Sequence, residues 1–153
     1  MQIKKGQVYG DRTMIKGLLG GDLQKGITVS SIYPNNILLF SKYLDIHRDG
    51  YINRPFANDE EYYFTGIGRQ GNQNDPTNHF YRTNKQVIDH IKSGSKLLLF
   101  EETAINSNQY VFLGEYELVK AYQNTELDYK RSGLRTAYKY HLKKKNDDIV
   151  LPD

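Results

Sequence analysis

Tyr62-Tyr63-Phe64-Thr65-Gly66-Ile67-Gly68-Arg69-Gln70-Gly71-Asn72-Gln73-Asn74-Asp75-Pro76 is the stretch around which the rest of the chain falls into order. Its aromatic and β-branched start reads as a strand that breaks at Gly66, and a polar, turn-forming loop follows from Gly68 to Pro76. Upstream, residues 45–61 are dense in Asp, Asn, Gly and Pro, which predicts a long loop, and long loops inside one domain are usually functional. Before that loop, Ile27-Thr28-Val29 and Ile37-Leu38-Leu39-Phe40 read as strands separated by the turn Tyr33-Pro34-Asn35-Asn36. Residues 1–26 are glycine-rich and predict short elements joined by turns. Downstream, Val87, Ile88 and Ile91 form an apolar stripe at helical period within Asn84–Lys92, stopped by Ser93-Gly94. Three strands complete the pattern, at 96–101, 110–119 and 136–142. Strands outnumber helices, so the expected fold class is α+β and mainly β, a bent sheet or small β-barrel with one or two flanking helices.

The chain has 153 residues, 38% of them hydrophobic, enough for one domain with its own core. No repeat or low-complexity stretch divides it. The expected organisation is a single domain over 1–153, with its core at about 27–142 and a tail or linker at 143–153. The longest apolar runs are strand-length, far short of the roughly 20 residues of a membrane span. The N-terminal segment lacks the apolar stretch of a secretory signal, and there is no cysteine. These features, with a composition rich in Asn, Lys and Tyr, lead to the expectation of a cytoplasmic, bacterial protein. Net charge is +3, unevenly spread. Lys130, Arg131, Arg135, Lys139, Lys143, Lys144 and Lys145 crowd the C-terminal quarter, as either a phosphate-facing patch or a solubilising tail. The 13 tyrosines and absence of tryptophan suit both sheet surfaces and base-stacking pockets.

The order of four segments resembles the SRA-YDG family of modified-base readers, found in chromatin proteins and in modification-dependent restriction systems. Ser41-Lys42-Tyr43-Leu44-Asp45 stands where the family has a glycine-tyrosine-acidic segment. Tyr63-Phe64-Thr65-Gly66-Ile67-Gly68 is similar to its tyrosine-threonine-glycine-x-glycine. Gly71-Asn72-Gln73-Asn74-Asp75 resembles its glycine-aspartate-glutamine turn, with Asn84 opening the following helix. Tyr110-Val111-Phe112-Leu113-Gly114-Glu115-Tyr116 is similar to the strand that gives the family part of its name. Thr65 to Gln73, Asn84 and Phe100-Glu101 also match the pattern of a domain attached to helicase-type restriction proteins. Three departures stand out: Phe64 replaces a tyrosine, Leu113 replaces the aspartate before Gly114, and Asp45 lies one position nearer to Tyr43.

The resemblance implies a PUA-type fold that binds double-stranded DNA and flips out a modified cytosine. It also implies a specificity module whose nuclease or helicase lies in another domain or subunit. Which modification is read (5-methylcytosine, hydroxymethylated, glucosylated or another) stays open. The implied base pocket is Tyr43 and Phe64 as the two stacking faces, Asp45 accepting from an exocyclic amine, and Thr65 and Gly66 at the base edge. DNA contacts are expected from Arg69, Gln70, Lys130, Arg131, Arg135 and Lys139.

No catalytic centre, metal site or cofactor is expected. His47, His79, His90 and His141 are widely separated and have no cysteine partners. Gly66 and Gly68 lack the lysine and helix start of a phosphate-binding loop. Two other readings stay open: a small metal-dependent nuclease or base-processing enzyme using Asp45, His47 and Asp49, and an RNA-binding or protein-interaction module.

Overall fold

Two apolar runs set the frame. Ile37 to Phe40 lie against Leu97 to Phe100 residue for residue, in a parallel pair. Successive side chains on a strand point to opposite faces, so an unbroken apolar run means that both faces are covered. Accordingly Ile37, Leu39, Leu97 and Leu99 enter one core cluster with Tyr62, Phe64 and Tyr140. Leu38, Phe40, Leu98 and Phe100 enter a second with Ile3, Ile15, Leu19 and Phe112.

The computed structural model describes residues 1–43, 53–56, 58–127 and 133–152. Along the chain run β1 (Gln2–Ile3), α1 (Arg12–Leu19), β2 (Ile27–Val29), β3 (Asn36–Ser41), β4 (Arg54–Pro55) and β5 (Glu61–Thr65). There follow α2 (Tyr81–Ile88), α3 (His90–Ser93), β6 (Lys96–Glu102), β7 (Tyr110–Leu127), β8 (Leu134–Asn146) and β9 (Ile149–Val150). The main sheet has seven strands in the order β2-β3-β6-β7-β8-β5-β4, and β1 pairs separately with β9. Only β3 and β6 are parallel there. Such a pair needs a crossover connection, and here it carries β4, β5, α2 and α3.

Although β3 and β5 are not neighbours in the sheet, they meet. The Tyr62 hydroxyl donates to Glu101 Oε2 at 2.7 Å and shares a hydrogen bond with the Ser41 hydroxyl at 2.8 Å. The sheet therefore curls back on itself and brings the C-terminal ends of β3 and β5 together. A register shift opposite Leu99/Phe100, beside Gly114, helps it bend. Gly114 has φ +141, and a Cβ there would lie 2.6 Å from Asn146 O.

Several expected boundaries move. The helix starts at Tyr81, so Asn84 lies inside it, and it breaks at Asp89; Val87 is buried while Ile91 is 62% exposed. Ile91 is thus not part of the buried stripe. The β7–β8 ribbon extends well beyond its apolar portion, because backbone pairing continues from Ala121 to Leu127 through mostly exposed side chains. Residues 143–152 are not a tail: β8 runs to Asn146, and Ile149 and Leu151 are buried in the second cluster against Ile3. The Met1 amine donates to Leu151 O at 2.9 Å, and Leu151 N–H donates to Met1 O at 2.8 Å. Among the described residues no helix is long and apolar enough to cross a membrane.

His90 is buried and fully engaged. Its Nδ1 faces Ser95 O and its Nε2 accepts from Leu118 N–H, both at 2.9 Å, which fits a neutral ring with its proton on Nδ1.

Candidate functional site

The loop that leaves β5 is held by side-chain amides. Asn84 brackets Ile67: its Oδ1 accepts from Ile67 N–H at 2.8 Å and its Nδ2 donates to Ile67 O at 2.9 Å. Gln73 does the same on a larger scale. Its Nε2 donates to Gly66 O at 2.8 Å and Gly68 O at 3.0 Å, while its Oε1 accepts from Tyr138 N–H at 2.7 Å. Both side chains are fully buried. A carboxamide carries a donor and an acceptor, which lets it replace a missing strand partner; a carboxylate cannot. Gly66 has no room for a side chain, since a Cβ would meet Gln73 Oε1 at 2.5 Å. Gly68 takes φ +107, in the region that favours glycine.

Beside this loop, where the ends of β3 and β5 face each other, lies a cavity of about 600 Å³. Three phenylalanines line it: Phe40 from β3, Phe64 from β5, and Phe80 from the turn before α2. Arg12, at the start of α1, also lines it and is only 7% exposed. The Asp11 carboxylate caps that helix by accepting from Met14 N–H at 2.9 Å. The guanidinium carbon sits 3.6 Å from the centre of the Phe40 ring, and Nη2 donates to Asp22 O at 2.7 Å and Lys25 O at 2.8 Å. Burial lowers the Arg12 pKa, with Tyr110 and Asp22 opposing that shift. At the rim stand the exposed side chains of Lys25, Lys42 and Arg69 with Gln24 and Gln70. Among the described residues no carboxylate lines the cavity.

Phe64, Thr65, Arg69 and Gln70 all line this cavity, and Gly66 adjoins it. Phe64 is 1% exposed and belongs to the core, so it contributes to the wall of the space rather than projecting into it. Thr65 is also buried; its N–H donates to Asn53 Oδ1 at 2.8 Å and its Oγ1 accepts from Lys139 Nζ at 3.3 Å. Tyr43 is not among the described residues that line the cavity. It follows the cavity-lining Lys42, is 53% exposed, and its N–H donates to Glu102 Oε1 at 3.2 Å. Asp45, His47, Asp49, Lys130 and Arg131 lie outside the described residues.

Two expected DNA contacts are corrected. Arg135 is 4% exposed, donating to Gly68 O and pairing with Glu126 at 3.6 Å. Lys139 lies 3.4 Å from the same carboxylate, and burial draws its pKa below the ordinary value against the pull of Glu126. Glu126 and Arg135 are register partners on β7 and β8, so the ribbon itself supplies the counter-charge. Lys144 is likewise internal, 2.7 Å from Asp59. Lys143 and Lys145 remain exposed. Arg12, Phe40 and Phe80 are among the cavity residues that sequence reasoning missed.

A sequence model described as "ScoMcrA-like, SRA domain" matches residues 5–147. The chain belongs to that family. The curled sheet with few helices, expected from the sequence, is an SRA fold, as comparison with solved structures shows. The SRA domain superposes on the sulfur-binding and SRA domains of ScoMcrA complexed with phosphorothioated DNA with a TM-score of 0.65 at 19% identity, covering 92% of this chain and 39% of that one. It superposes on the DNA modification-dependent restriction endonuclease AspBHI with a TM-score of 0.70 at 14% identity, covering 97% and 79%. For the SRA domain of SUVH5 in complex with methylated CHH DNA the values are 0.65, 16%, 99% and 94%. The chain spans 39% of the first ScoMcrA structure and 27% of a second, that of the Type IV phosphorothioation-dependent restriction endonuclease ScoMcrA. No curated protein matches it in sequence.

Proposed function

We propose that this SRA domain binds duplex DNA and holds one modified cytosine, rotated out of the helix, in the cavity between β3 and β5. One observation carries the reading: an aromatic-walled space of about 600 Å³ whose rim bears Lys25, Lys42 and Arg69, with no carboxylate among its described lining residues. Extruding a base costs a few kcal/mol. Stacking on an aromatic ring returns about 1–3 kcal/mol per base, and the rim cations add phosphate attraction. In this reading Phe64 supplies one face and Tyr43 the other, Thr65 and the backbone at Gly66 meet the base edge, and Asp45 accepts from an exocyclic amine. Arg69 and Gln70 fill the gap left in the duplex or contact the opposite strand. Lys130 and Arg131 contact phosphates. The domain serves as the specificity module of a modification-dependent restriction system, with cleavage assigned to another domain or subunit.

Tyr43→Ala tests the second face. With Tyr43 more than half exposed, stability should change by no more than about 0.5 kcal/mol. The preference for modified over plain duplex, measured by fluorescence anisotropy at fixed salt, should fall by about tenfold, as loss of one stacking face predicts. An unchanged preference would remove Tyr43 from the site.

The charge assignments are tested by salt dependence. Arg69→Gln should reduce the slope of log K against log salt by about 1, as expected for loss of one phosphate contact. Arg135→Gln should leave that slope as it is and instead lower the unfolding free energy by about 2–4 kcal/mol, because Gly68 O and Glu126 lose a buried partner. The reverse pattern would mean that the surface and internal cations have been exchanged.

A further inference from the structure

The cavity is larger than a methylated base needs. Taking roughly 30 Å³ per heavy atom, the share of a water molecule in the liquid, 5-methylcytosine with about nine heavy atoms takes up ~270 Å³. The space available is about 600 Å³. A methyl group gains from close apolar contact on every side, and it loses that contact wherever a gap remains. Besides the apolar Phe40, Phe64, Ile67 and Phe80, the lining carries neutral carboxamides: Gln24, Asn53, Gln70 and Asn78. Asn53 and Asn78 are engaged in the fold, through Thr65 N–H and the carbonyl of Asn72 respectively. Gln24 and Gln70 sit exposed at the rim, and neither side-chain amide bonds to another described residue. Close by, the Phe80 ring is partly buried over Gly68, with the His79 ring edge-on at 4.8 Å.

Donor–acceptor amides next to an aromatic face suit a polyhydroxylated ring. Each sugar hydroxyl both donates and accepts, as each carboxamide does, and the C–H face of the sugar packs on the aromatic ring. We infer that the modification read by this domain is a glycosylated hydroxymethyl group on the cytosine, with the sugar lying between Phe80 and the rim amides Gln24 and Gln70. On the same scale, an upper bound for covalently bonded atoms, a glucosylated hydroxymethylcytosine of about twenty-one heavy atoms takes at most ~630 Å³, so the open cavity has room for it. This inference rests on the proposed function, since it names the base that the same cavity takes.

The test is an anisotropy titration of the whole chain, at fixed salt, against four matched duplexes. They differ at one cytosine, which is plain, 5-methylated, 5-hydroxymethylated or glucosylated on the hydroxymethyl group. The glucosylated duplex should bind at least about tenfold tighter than the hydroxymethylated one, and Gln24→Ala should shrink that ratio several-fold. Equal or tighter binding of the methylated or hydroxymethylated duplex would overturn the sugar assignment and leave the flipped-base reading in place. Equal binding of all four would overturn both.

Discussion

Gln73→Glu is expected to cost about 3 kcal/mol or more of unfolding free energy at neutral pH, and to recover part of that loss in acid. The substitution keeps the shape of the side chain and changes only its donors. Gln73 is fully buried and its Nε2 donates to Gly66 O and Gly68 O. A carboxylate oxygen in that place would face two carbonyl oxygens with no proton between them, and a buried polar group left without partners costs several kcal/mol when it is charged. The new carboxyl group would therefore bind a proton more readily in the folded state than in the unfolded chain. A folded-state pKa raised in this way makes stability increase as pH falls through it, because the protonated acid regains a donor. Urea unfolding at pH 7 and at about pH 5 measures both effects; a loss that is the same at the two pH values would show that Gln73 only fills space. Because the same loop walls the cavity, the variant should also lose discrimination between modified and plain DNA.

Phe64 separates structural from functional roles in a different way. Phe64→Ala removes a ring from the cluster that includes Leu39, Val87 and Tyr140, and should cost about 3–5 kcal/mol, as buried Phe→Ala changes do. Phe64→Leu keeps most of the volume and should cost less than about 1.5 kcal/mol. It also removes the π face, so binding of the modified duplex should weaken by roughly 5- to 150-fold, the equivalent of ~1–3 kcal/mol of stacking. Plain DNA, bound through phosphates alone, should be affected far less. If the leucine variant binds modified DNA as tightly as its parent, Phe64 is a core residue with no part in recognition.

Much of the fold could be read because burial leaves a local signature. The runs Ile37–Phe40 and Leu97–Phe100 are apolar at every position, and only a strand covered on both faces explains that. The distal half of the β7–β8 ribbon leaves no such trace, since Gln123, Asn124, Thr125 and Glu126 are held by backbone pairing and their side chains carry little of the burial. Helix α1 lies in a segment read as short elements joined by turns, although Asp11 caps it and Met14, Ile15, Leu18 and Leu19 recur at helical spacing. That Arg12 lies on the ring of Phe40 depends on where α1 packs against β3, which no local pattern encodes. Arg135 and Lys139 were misjudged for a related reason. A count of lysines and arginines cannot show that Glu126 stands opposite Arg135 on the neighbouring strand. Gln73 of the loop motif and Asn84 of the following helix were seen as pattern; that they act as backbone clamps became visible only with Ile67, Gly68 and Tyr138 in place.

The parallel pairing of β3 with β6 also governs how the chain must fold. Its two strands are distant in sequence, and the intervening crossover contains β5, the clamped loop and α2, most of what forms the cavity. Contacts between distant segments require loop closure before they return any stabilisation, and chains rich in such contacts fold slowly. Assembly of the recognition pocket is thereby tied to closure of the central sheet. Defects in the crossover should consequently appear first as slow refolding and a low yield of native protein, ahead of any change in ligand choice.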